Sequence, residues 1–250
     1  MALLPVAWMV GCNKSSPSAP SGPQATPTVT STPAVYTTPQ PSGQSQVVLG
    51  SAANYAVLAY TKITNSGPST ICGSLGLYPM AAVDGGIVVR CGGVRDVADA
   101  TANTAKQDLG TAYTNASPGI LPGGAVLPPG ADVGGQTLSP GLYYESADFN
   151  ISSADLTLNA PNVSNTVYIF QVEGNLIVGP SRKVLLTGFA TNANVFWQVA
   201  GYCSLDTASQ FVGTIMAYTS VTMNTGAVLN GRALAENGDV TLLTNTITQP

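Results

Sequence analysis

An all-β solenoid accompanied by one long α-helix is the fold class this sequence predicts, and three observations predict it. The first is a pattern written three times towards the C-terminus. Leu205-Asp206-Thr207-Ala208-Ser209 is followed eighteen residues later by Met223-Asn224-Thr225-Gly226-Ala227, and nineteen residues after that by Leu242-Leu243-Thr244-Asn245-Thr246. Gly213-Thr214-Ile215-Met216-Ala217 aligns in the same way with Gly231-Arg232-Ala233-Leu234-Ala235, and Ser204, Thr222 and Thr241 also fall in register. A period of 18 to 19 residues is too short for a helical hairpin and suits one coil of a β-solenoid. Stacked coils would align Thr207, Thr225 and Thr244 as a ladder with rungs about 4.8 Å apart. The second observation is composition: 27 Gly and 18 Pro with abundant Thr, Ser and Val point to many strands and turns. The third is one helical stripe, Ala98, Ala102, Ala105, Leu109, Ala112 and Ala116, within Asp96–Ala116, stopped by Ser117-Pro118-Gly119. Because the stripe is mostly Ala, this helix can lie close against a sheet.

The N-terminal part reads as export and tether. Met1 to Gly11 is apolar but shorter than the roughly 20 residues that span a bilayer as a helix, and it reads as the end of a secretory signal. Met9-Val10-Gly11-Cys12 is similar to a bacterial lipobox, in which Cys12 becomes the lipidated first residue. No Lys or Arg precedes the apolar run, so cleaved secretion is the alternative. Asn13 after the Cys favours outer-membrane or surface placement. Residues 13–45 carry seven prolines, many Ser and Thr, and no charge from Ser15 onwards, which predicts an extended tether without a core. The folded domain is expected over residues 46–250.

Within that domain, Val47 to Ala59 alternates and is expected to open the fold as strand, with turns following at Ser66-Gly67-Pro68. Gly and Pro make irregular turns from Ile120 to Pro140. Strands resume at Gly141–Tyr144, Ala154–Asn159, Thr166–Val172, Asn175–Val178, Val184–Thr187 and Asn194–Val199. A chain that passes from strand to helix and back suggests coils not all laid down in sequence order. Cys72 and Cys91 flank a segment rich in turn residues, and in an exported protein a bridge between them would pin a capping loop. Pairings of Cys203 with either of them stay open.

Charge narrows function. Only 8% of residues are charged, the net charge is -4, there is no His, and no basic cluster is available to neutralise phosphates. Nucleic-acid binding is therefore not expected, and the commonest general base and metal ligand is missing. No cofactor or metal is expected, and the chain is read as not an enzyme. The best acidic cluster, Glu145, Asp148 and Asp155, lies on turns with no Lys or Arg close in sequence and reads as solvated turn residues. A surface adhesin or polysaccharide-binding module is the competing reading. It suits the tether, but the repeats carry no row of aromatics for stacking on sugars.

The motifs LGSAANYAVLA, GPSTICGSLGLYP, LSPGLYYESADFNIS, LTLNAP, VYIFQVEGNL, NVFWQV, FVGTIMA, NTGAVLNGRALA and VTLLTNTIT occur in this order from about Val47 to Thr248. Together they resemble the microbial ice-binding (antifreeze) proteins of the DUF3494 type. The resemblance implies a right-handed discontinuous β-helix of triangular cross-section with a long helix beside it, one flat face of which binds ice and hinders its growth. It also implies a Thr-Ala/Gly-X-Thr/Asn pattern on the ice face. The matching positions are Thr207 and Ser209 with Gln210, Thr225 and Ala227 with Val228, Thr244 and Thr246 with Ile247, and a degenerate copy at Ser66 to Ser69. The fourth positions Gln, Val and Ile depart from the pattern, which points to an imperfect array of moderate activity. Ice is the expected partner of a monomer outside the cell or on its surface, touching a membrane only through Cys12.

Overall fold

The computed structural model describes residues 44–250 except 131, 162 and 163. Cys12, the signal remnant and the expected tether up to residue 43 lie outside the described residues. Parallel strands dominate. Each circuit of the chain lays strands into three sheets in turn, and every strand pair is parallel. On the first face lie Gly141–Glu145, Tyr168–Val172, Val195–Val199, the second halves of Gln210–Ala217 and Val228–Ala235, Tyr55–Ala59 and Ser74–Leu77. The second face is built from Phe149–Ile151, Leu176–Val178, Cys203–Leu205, Val221–Met223, Val240–Leu243, Lys62–Ser66 and the short edge strand Ala82–Val83. On the third face, Leu156–Ala160 and Val184–Gly188 pair, and further along Val228 pairs Thr246 and Thr246 pairs Thr70.

The order of coils is broken, as the alternation of strand and helix suggested. The last coil of the chain stacks on the first: Ala233 pairs with Val57, Leu242 with Asn65, and Ile247 with Ile71. A second N-terminal coil follows, Ser74–Leu77 and Ile87–Arg90, tied by the Cys72–Cys91 disulfide. Cys203 is a free, buried thiol, so the pairings that would have used it do not form.

Inward residues sit in register and share one core. On the first face, Tyr143, Phe170 and Trp197 stack rung on rung, at 5.1 Å and 15°, then 4.0 Å and 10°. The next rungs shrink to Ile215, Ala233 and Val57, and Phe211 from the third face fills the space beside Trp197 at 4.9 Å. Large rings in successive coils must align because parallel strands in register place identical positions about 4.8 Å apart. Strands turn the corner into the first face at Gly213 and Gly231. A β-carbon on Gly231 would stand 1.8 Å from the Gly213 carbonyl oxygen, so no side chain fits there.

The helix covers the first face. It runs Ala100–Asn115, starting four residues later than expected. Arg95–Val97 is instead a strand paired with Ser74–Leu77, and the Asp96 carboxylate accepts from the Tyr55 hydroxyl at 2.5 Å. Asp99 is the N-cap, accepting from the Ala102 N–H at 2.8 Å, and Ala98 is left outside with φ 54°. Sixteen residues make a helix about 24 Å long, matching the five rung spacings between Leu142 and Leu58. Ala105, Leu109 and Ala112 pack there on Leu142, Ile169, Phe196, Met216, Leu234 and Leu58. Strands of the first face are therefore buried on both sides. Lys106 is buried within the stripe. It donates to the carbonyls of Ala235 and Glu236 at 2.7 and 2.6 Å. Desolvation lowers its pKa to about 8 despite the Glu236 carboxylate at 3.4 Å.

The opening segment also differs from expectation. Gly50–Asn54 is a 3-10 turn rather than strand, held by Asp108 of the helix, whose carboxylate accepts from the Ser51 N–H and hydroxyl at 2.7 and 2.6 Å.

Two outcomes follow. Replacing both Cys72 and Cys91 with Ala frees a loop of 19 residues' separation and lowers unfolding free energy by about 3 kcal/mol, read from urea denaturation. At the opposite end of the stack, Asp132 is partly buried, which by itself raises its pKa. Hydrogen bonds from the Ser152 and Gly134 N–H groups, the Ser152 hydroxyl and Ser153 outweigh that and hold it at about 2. A carboxylate depressed in the fold stabilises it above the unfolded pKa and loses that contribution as pH falls through the folded value. Stability therefore drops between about pH 4 and pH 2, and Asp132→Asn flattens that part of the melting-temperature profile.

Candidate functional site

With the first face under the helix, two faces stay open. The third carries Lys183, Arg90 and the disulfide, mixed with Leu185 and Val88, both exposed. The second is more regular. Its inward positions are apolar except at one end, Phe149, Leu176, Cys203, Val221, Val240 and Ile63 in one column and Ile151, Val178, Leu205, Met223 and Leu242 in the other, which closes on the buried Asn65. Period-2 alternation then forces the residues between them outwards. Along the coils these read Asn150, Ile177, Ser204, Thr222, Thr241 and Thr64. Four successive rungs thus present a hydroxyl, each half-buried by its neighbours. Parallel columns lie two residues to either side, with Ser220 in one and Asn224 and Ser66 in the other. The grid repeats at about 4.8 Å along the coils and about 6.7 Å across them.

Charges on this face are engaged. Lys62 pairs with Asp84, and Asp239 accepts from the Thr241 hydroxyl at 3.0 Å. The Asp206 carboxylate accepts from the Thr207 N–H at 2.6 Å and from the Asn224 amide at 3.0 Å, which holds it below the ordinary carboxylate range.

The residues singled out by the repeat pattern lie at the corner where the second face turns into the third. The ladder is corrected there. N–H groups of Ser181, Ala208, Gly226 and Thr244 donate in turn to the carbonyls of Thr207, Thr225, Leu243 and Ser66. Thr207 and Thr225 are exposed neighbours, but the next rung is Leu243 and the one after is Ser66. Thr244 belongs to the column of Ala208 and Gly226, all three in the left-handed region with φ of 55°, 57° and 72°. The cause is a turn one residue shorter. Leu205 and Met223 are followed five positions later by the paired Gln210 and Val228, whereas Leu242 is followed after only four by their partner Thr246.

The third position of the first two copies, and the fourth of the copy at Ser66 to Ser69, point inwards. Ser209, Ala227 and Ser69 are each fully buried and touch no external surface. The tight corner admits only small or internally bonded side chains. Asn245 occupies this layer in the shortened turn. Its amide donates to the carbonyls of Asn224 and Ala227 at 2.8 and 3.1 Å and accepts from the Leu243 N–H at 2.5 Å. Its own N–H donates to the Ser69 hydroxyl at 2.9 Å. Thr246 is exposed on the third face, next to Thr70. The register of Ser204, Thr222 and Thr241 was visible in the repeats. Thr64 was not, because its rung is sixty residues from the chain's start and pairs with the last coil only in three dimensions.

The acidic residues weighed for catalysis are structural acceptors. Glu145 is buried and accepts from the Gly130 and Ala147 N–H groups at 3.2 and 2.9 Å, Asp148 from Asn175, and Asp155 from the Lys183 N–H. Among the described residues no three His, Cys, Asp or Glu side chains cluster as a metal site.

Fold and face together define a protein that offers an ordered hydroxyl array on a rigid stack of parallel strands. A family model described as Ice-binding-like matches residues 57–248. An ice-binding protein of Colwellia sp is 35% identical over 84% of this chain and 86% of its own length, and one of Flavobacterium frigoris (strain PS1) is 37% identical over 84% and 79%. The crystal structure of an ice-binding protein from an Antarctic Biological Consortium superimposes with a TM-score of 0.80 at 38% identity, covering 85% of this chain and 95% of that one. The chain belongs to the ice-binding-like family.

Asn245→Ala removes the donor to two carbonyls and the acceptor of one N–H at the corner, and lowers unfolding free energy by about 2–3 kcal/mol in urea titration. A loss below about 0.5 kcal/mol would contradict this role for the side chain.

Proposed function

We propose that the protein adsorbs to ice through its second face, centred on Ser204, Thr222, Thr241 and Thr64 and bordered by Thr207, Thr225 and Ser66 at the corner. The observation that carries this reading is the four-rung hydroxyl column on a parallel sheet in continuous register. Ice has no net charge to grip, so recognition rests on matching a periodic lattice. Thr contributes a hydroxyl that holds water and a methyl that orders water beside it, on a side chain restricted at χ1. The strand ladder fixes spacing in advance, which keeps the entropy lost on adsorption small. Many weak contacts then act together, and an adsorbed molecule hinders growth and recrystallisation at the ice front.

The array is incomplete. Leu243 interrupts the corner column, Ile177 and Asn150 end the hydroxyl column, and Asp239 and Lys62 edge it, which supports moderate activity. The stack is read as a right-handed β-helix of triangular section, working as a monomer without catalytic chemistry. Export and attachment through Cys12 would hold it outside the cell or on its surface.

Thr222→Tyr places a ring proud of the central rung and reduces partition into a slowly grown ice hemisphere about tenfold or more, because neighbouring hydroxyls lift off together. Circular dichroism stays that of the parent. Thr246→Tyr, on the third face, leaves partition unchanged. Full partition of the Thr222 variant would rule out this face, and no partition of the parent would rule out the function.

A further inference from the structure

A second surface lies on the helix side of the molecule, where strands of the first face turn towards the second. Pairing of Ala217 with Ala235 sets Tyr218 beside Glu236, and pairing of Leu58 with Leu234 sets Tyr60 on the next rung. Tyr218 is 47% exposed and Tyr60 37%, although buried rings are available to the core throughout this sheet. They stand two rungs apart, about 10 Å. Tyr113 of the helix lies against Tyr218 with centroids 5.7 Å apart and planes tilted by 43°, fixing that ring.

Between this edge and the helix runs a groove of about 620 Å³, walled by Gln107, Thr111, Thr114 and Asn115 on one side and Tyr218 and Glu236 on the other. Gly110 sits in its floor. A β-carbon there would approach Glu236 Oε1 to 2.9 Å, so the missing side chain lets the carboxylate come up to the helix. Gly inside a helix costs about 1 kcal/mol relative to Ala, and close approach of Glu236 is the local reason for it. The one charge pair is closed on itself: Lys106 reaches Glu236 at 3.4 Å, both carbonyls of the strand end, and the face of Tyr60 at 5.7 Å. What the groove itself offers a ligand is therefore the exposed Tyr218 ring, hydroxyls and carboxamides, with its charge neutralised internally; Tyr60 stands just beyond its Lys106 end, with one ring face towards the ammonium.

We propose that this groove, together with the exposed surface that continues past Lys106 to Tyr60, binds a neutral polysaccharide chain, one pyranose ring stacking on Tyr218 within the groove, another on Tyr60 outside it, and its hydroxyls bonding to Gln107, Thr111 and Thr114. Apolar C–H faces of a sugar suit aromatic rings, and the planar amide of Gln and the hydroxyls of Thr match sugar hydroxyls without a competing free charge. Paired aromatics two rungs apart suit a repeating polymer more than a compact molecule. The size lies within the usual range of ligand sites. None of the groove-lining residues belongs to the Ser204–Thr64 column, so a polysaccharide held here leaves the hydroxyl face uncovered. The protein would then link a glycan matrix to whatever that face adsorbs.

The test is native electrophoresis of the full chain through gels cast with dextran, a soluble β-1,3-glucan or galactomannan, each against a gel without polymer. Migration is retarded in at least one of them. Tyr218→Ala weakens that retardation, with apparent affinity falling about tenfold, the loss expected for one stacked ring. Both rings are surface residues, and circular dichroism checks that the variants fold. Adding Tyr60→Ala abolishes retardation. Ice partition of the Tyr218 variant is unchanged, while Thr222→Tyr keeps its retardation, so the two sites fail or stand separately. No retardation in any of the three polymers, or retardation that survives the double Tyr variant, overturns the proposal.

Discussion

Register between parallel coils is the constraint on which the rest depends. Backbone N–H groups of one rung are spent alternately on carbonyls of the rungs before and after it, so a position in one coil lies over the same position in its neighbours. That single rule aligns Tyr143, Phe170 and Trp197 into a stack inside and Ser204, Thr222 and Thr241 into a column outside. Core and surface are two sides of the same ladder. A residue that packs well inwards also fixes the spacing of what faces out, and for a lattice-binding surface that spacing is the recognition element.

The helix decides which face is available. Its Ala-rich stripe lets it lie on Leu142 to Leu58 along six rungs, turning the first face into an internal layer. Burying Lys106 in that layer costs desolvation, offset by two carbonyl acceptors and Glu236. The same contact closes the break in coil order, because the helix carries the chain from the N-terminal coils to the far end of the stack. Tyr60 and Tyr218 remain at the rim of this layer, where the helix leaves them exposed.

Corners set the limits of the hydroxyl face. At the turn between the second and third faces, left-handed residues Ser181, Ala208, Gly226, Thr244 and Gly67 succeed one another, and buried Ser209, Ala227, Asn245 and Ser69 form the layer beneath. A Thr-containing motif at such a corner mixes exposed and internal positions. Membership of the ice-binding-like family does not single out a face; the proposed positions follow from which side chains point out rather than from the motif as a whole.

Much of the fold was legible in the sequence. Period, turn residues and the Ala stripe determine coils of parallel strand with one helix, the strands from Gly141 to Val199 other than Phe149–Ile151 lie close to where alternation put them, and the cysteine pair Cys72–Cys91 forms as favoured by its flanking turns. Local patterns suffice there because hydrophobic alternation and helix periodicity are properties of adjacent residues. Tertiary structure alone decided the rest. A one-residue shorter turn, invisible until Asn245 is seen folded inside it, moved Thr244 out of the ladder. Pairing of the last coil with the first, across the whole chain, brought Thr64 in beside Thr241. Sequence determines which residues recur; only the closed hydrogen-bond ladder determines which of them are neighbours, because in a parallel stack every contact between rungs is made by residues distant along the chain.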